Sequence, residues 1–582
     1  MPDTHDHPSV RSRRWLAGGL AGLLAGAAAV AVSEALSAVL TGVTSPLLAV
    51  GNRAVDATPR PLKEFAIETF GENDKPVLIG GVIATVALLA VVLGVLGVRR
   101  PRAALVGFLV LSLVATVAAV TDRAATAGVV ARLLPALALV VVGVTALLLL
   151  LRTLRTSPRP ESGEGSRAGH APTGREGSAA APGANPTATP ATTRTGRTVE
   201  TVEDGKPRML IGDLLPARVE GDDLPAGFDR RGFMVAAVAV GAVAAAGGAV
   251  RQTFGGSAAA AERADIMLPK PGTAAPALAQ GASLDVKGIS PFLTSNKEFY
   301  RVDTALSVPD VPIDGYTLRI HGMVDKEIEL TYEDLLERRM IERRITLTCV
   351  SNPVGGKYVG NATWLGIPIR DLLEEAGVKD GADAVKSTSA DDMTIGTPLQ
   401  ALNDPNRDAI IAVGMNGQPL PLRHGFPVRM VVPGLYGYVS ATKWLVDLEV
   451  TRFKDFKAYW STRGYSVKAP IKTSSRIDVP RSFAQVKAGT QVPIAGVAWS
   501  QDRGIRRVEV RVDGGAWQQA DLAAEDNIDT WRQWMWMWDA EPGNHLIEVR
   551  ATDDTGYTQT DKRAAIAPNG STGWHSVNVT GS

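Results

Sequence analysis

The sequence predicts a three-part chain: N-terminal all-α membrane spans, an α+β domain, and a C-terminal all-β domain. Three observations predict it. Four apolar runs crowd the first 151 residues. From about residue 265 strand-like and helix-like patterns alternate. Beyond about 475 only strand patterns remain. At 582 residues the chain is too long for one core, so several domains are expected. The net charge of +1 sets up no field towards nucleic acid, and no nucleic-acid partner is expected.

The four runs cover 15–40, 76–98, 103–120 and 133–151. A bilayer crossing takes about 20 residues, which each approaches or exceeds. Glu34, near the end of the first, reads as an interfacial residue. Arg11, Arg13 and Arg14 precede the first run, Arg99, Arg100 and Arg102 separate the second and third, and Arg152 and Arg155 follow the fourth. The positive-inside rule makes these clusters cytoplasmic and the 41–75 and 121–132 loops external. Residues 152–228 form the next unit. Its stretch 156–204 is rich in Pro, Gly, Ser and Thr, buries too little apolar surface to offset chain entropy, and reads as a disordered cytoplasmic linker.

A fifth apolar run follows over 229–252, opened by "DRRGFMVAAVAV". Arg230, Arg231 and Phe233 resemble a twin-arginine export signal at an internal position. The plainer reading is a fifth span with positive-inside arginines. Either puts everything after 250 outside the cytoplasm, and "SAAAAERAD" (257–265) leaves signal-peptidase cleavage open.

In 265–475, "YTLRIHGMV" (316–324) alternates as a strand. "TYEDLLERR" (331–339) begins with a helix-capping Thr331. "IPIRDLLEEAGV" (367–378) reads as a second helix, and "FPVRMVVPG" (426–434) as a buried strand. Neither GxGxxG nor a Walker loop occurs, which argues against dinucleotide and P-loop chemistry. The chain's single cysteine, Cys349, ends a strand pattern in "ITLTCVSNPVGG". It is either a buried small hydrophobe or a nucleophile or metal ligand.

Four ordered motifs between about 290 and 475 resemble the molybdopterin-binding domain of the sulfite oxidase family. They are "NKEFYRVDTAL" (296–306), "LTCVSN" (347–352), "GNATWLGIPIRDLL" (360–373) and "MNGQPLPLRHGFPVRMVVPGLYGYVSATKWL" (415–445). The resemblance implies a molybdenum–molybdopterin cofactor with Cys349 as its protein metal ligand, a soft thiolate suited to a sulfur-ligated metal. It implies cofactor-binding roles for His424, Arg429 and Lys443, for Tyr300, Arg301 and Asp303 in the early loop, and for Asn352, Asn361 and Asp391. Oxo transfer to or from a small sulfur oxyanion or sulfoxide is the implied reaction.

The pattern also departs from sulfite oxidases proper. Their cysteine motif continues with two arginines, where this chain has Pro353 and Val354. Their early loop carries a substrate-facing arginine, where it has Asp303, Thr304 and Ala305. Tyr459, Arg463 and Tyr465 in "KAYWSTRGY" are the candidates for the lost donors, and Tyr459 for stabilising the transferred oxygen. The alternatives are a sulfoxide or other oxo-acceptor reductase and a non-catalytic exported binding module.

None of the seven histidines falls in an apolar run, and one cysteine cannot make a Cys-x-x-Cys-His site. No haem is expected. Electrons would pass to a separate carrier, a cytochrome or a quinone. The last segment, 476–582, holds hairpin signals such as "RRVEVRVDGGAW". Trp534, Trp536 and Trp538 fall at period 2 and read as sandwich core. It resembles the immunoglobulin-like dimerisation domain of the same family, which implies a homodimer. The expected location is a multi-pass cell-membrane protein with its catalytic domain on the extracytoplasmic side.

Overall fold

The structure, a computed structural model, describes residues 10–154 and 230–582, apart from position 41, several positions between 60 and 73, positions 123, 124 and 126, and 255–256. All but the start of the linker expected over 152–228 therefore lies outside the described residues.

Among the described residues, five helices are long and apolar enough to cross a membrane: Trp15–Val39, Lys75–Arg99, Pro101–Val120, Val129–Thr153 and Arg231–Val250. The first packs against the second, fourth and fifth. Glycines allow this. A Cβ on Gly22 would sit 2.0 Å from the carbonyl oxygen of Ala90, and one on Gly94 2.1 Å from that of Gly18. Backbones in such contact gain the close packing that pairs helices in lipid. Ala17, Leu154 and Phe233 share one cluster, so the starts of the first and fifth spans and the end of the fourth lie at one end of the bundle. Glu34 is buried in the bundle.

The opposite end carries a helix the sequence reading missed, Pro46–Ala57, capped by Ser45. Its Asn52 donates to Asp122 at 3.1 Å. Polar side chains placed within two short loops left no pattern that the hydropathy reading registers. This end of the bundle meets the soluble half of the chain.

The soluble half begins with the short helix Ala258–Asp265. Arg263 donates from Nε to the carbonyl of Leu420 at 2.7 Å, and Glu262 accepts from the amide of Ile313 at 2.6 Å. Two sheets follow. One orders its strands Ile328–Thr331, Thr317–Gly322, Leu445–Thr451, Ala384–Ser389 and Thr394–Pro398. The other runs Ile341–Thr348, Val359–Pro368, Ile410–Met415 and Gln418–Pro419, with Arg429–Val431 paired to the third strand. The capped helix forms over Tyr332–Glu337, with Thr331 and Asp334 closing a capping box. The second helix spans Ile369–Ala376 and ends at Gly377 with φ +68°, a left-handed turn that suits glycine.

Beyond 473 two further sheets pack face to face around Ile494, Trp534, Val549 and Val577. Trp534 and Trp538 are buried, and Trp536 is partly so. Trp499 and Trp531 of this sandwich belong to the same core cluster as Leu318 and Ile411 of the α+β domain. The Trp531 indole also donates to the carbonyl of Phe292 at 2.9 Å. The two domains therefore share a core.

Candidate active site

Cys349 follows directly on strand Ile341–Thr348. That strand pairs antiparallel with Val359–Pro368, Thr348 facing Val359, and the Cys349 amide donates to the carbonyl of Tyr358 at 2.9 Å. The thiol thus sits where the hairpin opens into its loop. Asn352 closes that loop: its Oδ1 accepts from the amide of Tyr358 at 2.8 Å. The sandwich braces it from outside. Ser571 Oγ donates to the Asn352 carbonyl at 2.8 Å, and Arg476 donates to the Gly356 carbonyl at 2.8 Å.

Cys349 is 8% exposed and lines a cavity with Tyr300, Asp303, Asp391, His424, Arg429 and Lys443. Burial pushes its thiol up, against the amide of Ser351 at 3.4 Å. A bound metal reverses that balance and holds a coordinating thiol deprotonated.

The segment 424–444 brings three basic side chains to one wall. Gly425 has φ +112°, and a Cβ there would lie 3.0 Å from the Cβ atoms of both Arg429 and Lys443. Only glycine permits this backbone to pass between them. Trp444 adopts φ +50°, a strained conformation for a bulky residue. Its indole donates to the Leu422 carbonyl at 3.0 Å, and the Lys443 ammonium lies 4.5 Å from its ring centroid.

His424 is 1% exposed. Its Nε2 lies 2.8 Å from the carbonyl of Asn296. A carbonyl only accepts, so Nε2 carries the proton and a neutral ring leaves Nδ1 as an acceptor. Burial pulls its pKa down to about 3, with Arg429 and Lys443 adding to the effect. Arg429 is 4% exposed. It donates to the His424 carbonyl at 3.0 Å, and burial lowers its pKa to about 10.

Asp303 is the acidic centre of the cavity lining, its side chain 3% exposed. Lys443 Nζ lies 2.6 Å from Oδ2, and Arg301 Nε 2.7 Å from the same oxygen. Lys75, from the start of the second span, pairs with Oδ1. Burial favours the protonated acid, but these three cations hold the carboxyl well below the usual carboxylate range. Burial pulls Lys443 to about 8 against the attraction of Asp303. Asp391 is pushed up by burial and accepts from Ser389 Oγ.

Five of the expected site residues stand apart from the cavity lining. Asn352 lies outside the cavity lining, its carboxamide used on Tyr358. Asn361 is fully buried between strands, accepting from Thr346 at 3.1 Å and donating to Phe292 at 3.0 Å. Tyr459 and Arg463 also lie outside the lining. The Tyr459 hydroxyl donates to Asp56 of the N-terminal helical unit at 3.5 Å, and the Arg463 guanidinium stacks 3.4 Å from the Tyr459 ring centroid. Arg301 reaches the site through Asp303 and does not itself line it. Trp460, Tyr465 and Tyr438 occupy the wall instead. The first two sit in the quoted "KAYWSTRGY" stretch, one residue and six residues beyond Tyr459; Tyr465 is among the sequence candidates there and Trp460 is not.

The donor set fits a molybdopterin. One thiol faces the cavity, and the neutral His424 and the ionised Asp303 stand nearby. Arg429 has no carboxylate within ion-pairing distance among the described residues. A buried cation without an acid is a ready partner for phosphate.

Residues 305–460 match the family described as oxidoreductase molybdopterin binding domain. Mouse mitochondrial sulfite oxidase is 31% identical over 343 residues, covering 50% of this chain and 61% of that protein. Chicken sulfite oxidase is 32% identical over 323 residues, covering 47% of this chain and 70% of that one. An inducible NADH nitrate reductase of soybean is 30% identical, with 44% and 36% covered. Among solved structures, sulfane dehydrogenase SoxCD from Paracoccus pantotrophus aligns at 25% identity and TM-score 0.44, covering 50% of this chain and 81% of that one.

Proposed function

The chain belongs to the sulfite oxidase family of molybdopterin-dependent oxidoreductases, and from that premise we propose that it oxidises a small sulfur oxyanion, with sulfite the first candidate. The observation that carries the reading is the cavity in which Cys349, Arg429, His424 and Lys443 converge. When bound, the molybdenum cofactor supplies two-electron oxygen-atom exchange with the substrate. The chain's own residues hold and orient. Cys349 is the metal's protein ligand. Arg429 and His424 receive the phosphate and the pterin edge, with Tyr300 and Asp391 lining the same cavity. Lys443, freed from neutralising Asp303 alone, adds a positive field towards an anionic substrate. Trp460 and Tyr465 exclude water from the wall. Electrons leave to a separate carrier, a cytochrome or quinone.

The five apolar helices anchor this half to a membrane. Arg99, Arg152 and Arg231 sit at the end of the bundle remote from the cavity, which by the positive-inside rule supports an extracytoplasmic cavity. The two-sheet C-terminal domain is the dimerisation module, and Arg230–Arg231 directs export.

The test uses the full chain with its molybdenum content measured. Sulfite added without oxygen should reduce the metal centre, giving a Mo(V) EPR signal on partial reoxidation. A loaded protein that sulfite leaves unreduced would remove sulfite from the account and turn the assignment to sulfoxides and other oxo donors.

A further inference from the structure

The family match begins at residue 305, yet the cavity's acidic centre, Asp303, is held in part from the membrane unit. Lys75 Nζ pairs with Asp303 Oδ1 and also donates to the Ala305 carbonyl at 2.7 Å. Two further contacts close the same seam. Asp56 accepts from the Tyr459 hydroxyl at 3.5 Å and lies 3.9 Å from the Arg463 guanidinium. Gly51 packs on Leu306 so closely that an added Cβ would come within 2.7 Å of Cδ1. The helix Pro46–Ala57 and the first turn of the second span thus cover the 303–306 segment behind the cavity wall.

We infer that Lys75 is a positioning residue of the active site, so that the membrane unit completes the site as well as anchoring it. Arg301 and Lys443 share Oδ2 of Asp303, and Arg301 also reaches Oδ1 at 3.2 Å. Lys75 takes Oδ1. Three cations on one carboxylate leave a surplus of two positive charges beside the cavity, where screening by water is weak. Without Lys75, Asp303 draws Lys443 and Arg301 more fully to itself, and the cavity loses one unit of positive charge. The consequence for substrate rests on the proposed function: an anion is bound less well. The consequence for the metal does not rest on it, because a less positive surrounding makes any redox centre there harder to reduce.

The experiment compares Lys75→Met and Lys75→Arg in the full-length, membrane-held, molybdenum-loaded protein. For Lys75→Met, KM for sulfite should rise about tenfold with kcat little changed. The potential at which the Mo(V) signal appears should fall. Lys75→Arg, which keeps the charge, should restore both. Unchanged KM and potential at normal molybdenum content would overturn the inference. Loss of molybdenum from Lys75→Met would overturn it too, by making Lys75 a cofactor-retention residue. If the wild-type protein does not react with sulfite, the functional reading fails, and the potentials still decide the role of Lys75.

Discussion

The Arg429 guanidinium carbon lies 4.9 Å from the centroid of the Trp364 ring. The same side chain donates to the carbonyl of His424 and pairs with no carboxylate among the described residues. The apo-protein therefore carries a desolvated cation held by a ring face and a carbonyl, an arrangement costly in the absence of an anion.

Arg429→Met should weaken retention of the cofactor by about 10- to 100-fold, the range expected for losing a charge-assisted hydrogen bond. The apo-protein should melt at the same or a higher temperature, because the substitution removes a buried unpaired charge. Molybdenum content after dialysis, measured beside the apo melting temperature, separates a lost anion contact from misfolding.

Asp529 sits at the join between the two soluble domains. Its backbone carbonyl accepts from Thr346, and its Oδ1 accepts from the Asp502 amide at 3.1 Å. Burial raises its pKa to about 7, with Asp502 and Asp408 adding repulsion and Arg407 opposing. Its folded pKa lies above the unfolded value near 4, so the folded state holds the proton more tightly. The stabilisation is full below about pH 4 and is lost as pH rises through 7. Asp529→Asn keeps the acceptor and removes the charge. It should flatten this slope between pH 4 and 7 and stabilise the protein at pH 8 by at most about 4 kcal/mol. Thermal melts at pH 5 and pH 8 check both the sign and the window.

The segment 257–265, which invites cleavage by composition, forms a docked helix over Ala258–Asp265. Ala259 is fully buried in a cluster with Ile341 and Trp364, and Arg263 is bonded to the carbonyls of Pro419 and Leu420. A protease needs an accessible backbone, and this one is helical and docked. The apolar helices and the sheet-rich half should therefore stay on one uncleaved chain in the membrane fraction. A soluble fragment beginning near residue 260 would contradict this.

Much of the site is legible in the sequence because local geometry fixes it. His424, Gly425, Arg429, Lys443 and Trp444 fall within 21 consecutive residues, and the glycine and the strained tryptophan act on immediate neighbours. The apolar spans are legible for a similar reason, since length and hydropathy alone define them. What escapes is long-range. Lys75 and Asp303 are separated by 228 positions, and Tyr459 and Asp56 by 403, so no local pattern marks either pair. Asn352 and Asn361 escape differently. Each sits in a correct motif, but its carboxamide satisfies backbone or a buried neighbour rather than the cavity, and residue type does not reveal that choice.

The central claim is that Cys349 is the chain's own ligand to molybdenum. X-ray absorption at the molybdenum edge, on wild-type protein and on Cys349→Ser loaded with the same cofactor, tests it most directly. The account predicts one fewer sulfur neighbour around the metal in Cys349→Ser, with oxidoreductase activity lost. An unchanged sulfur count would contradict it and return Cys349 to the role of a small buried side chain at the end of a strand.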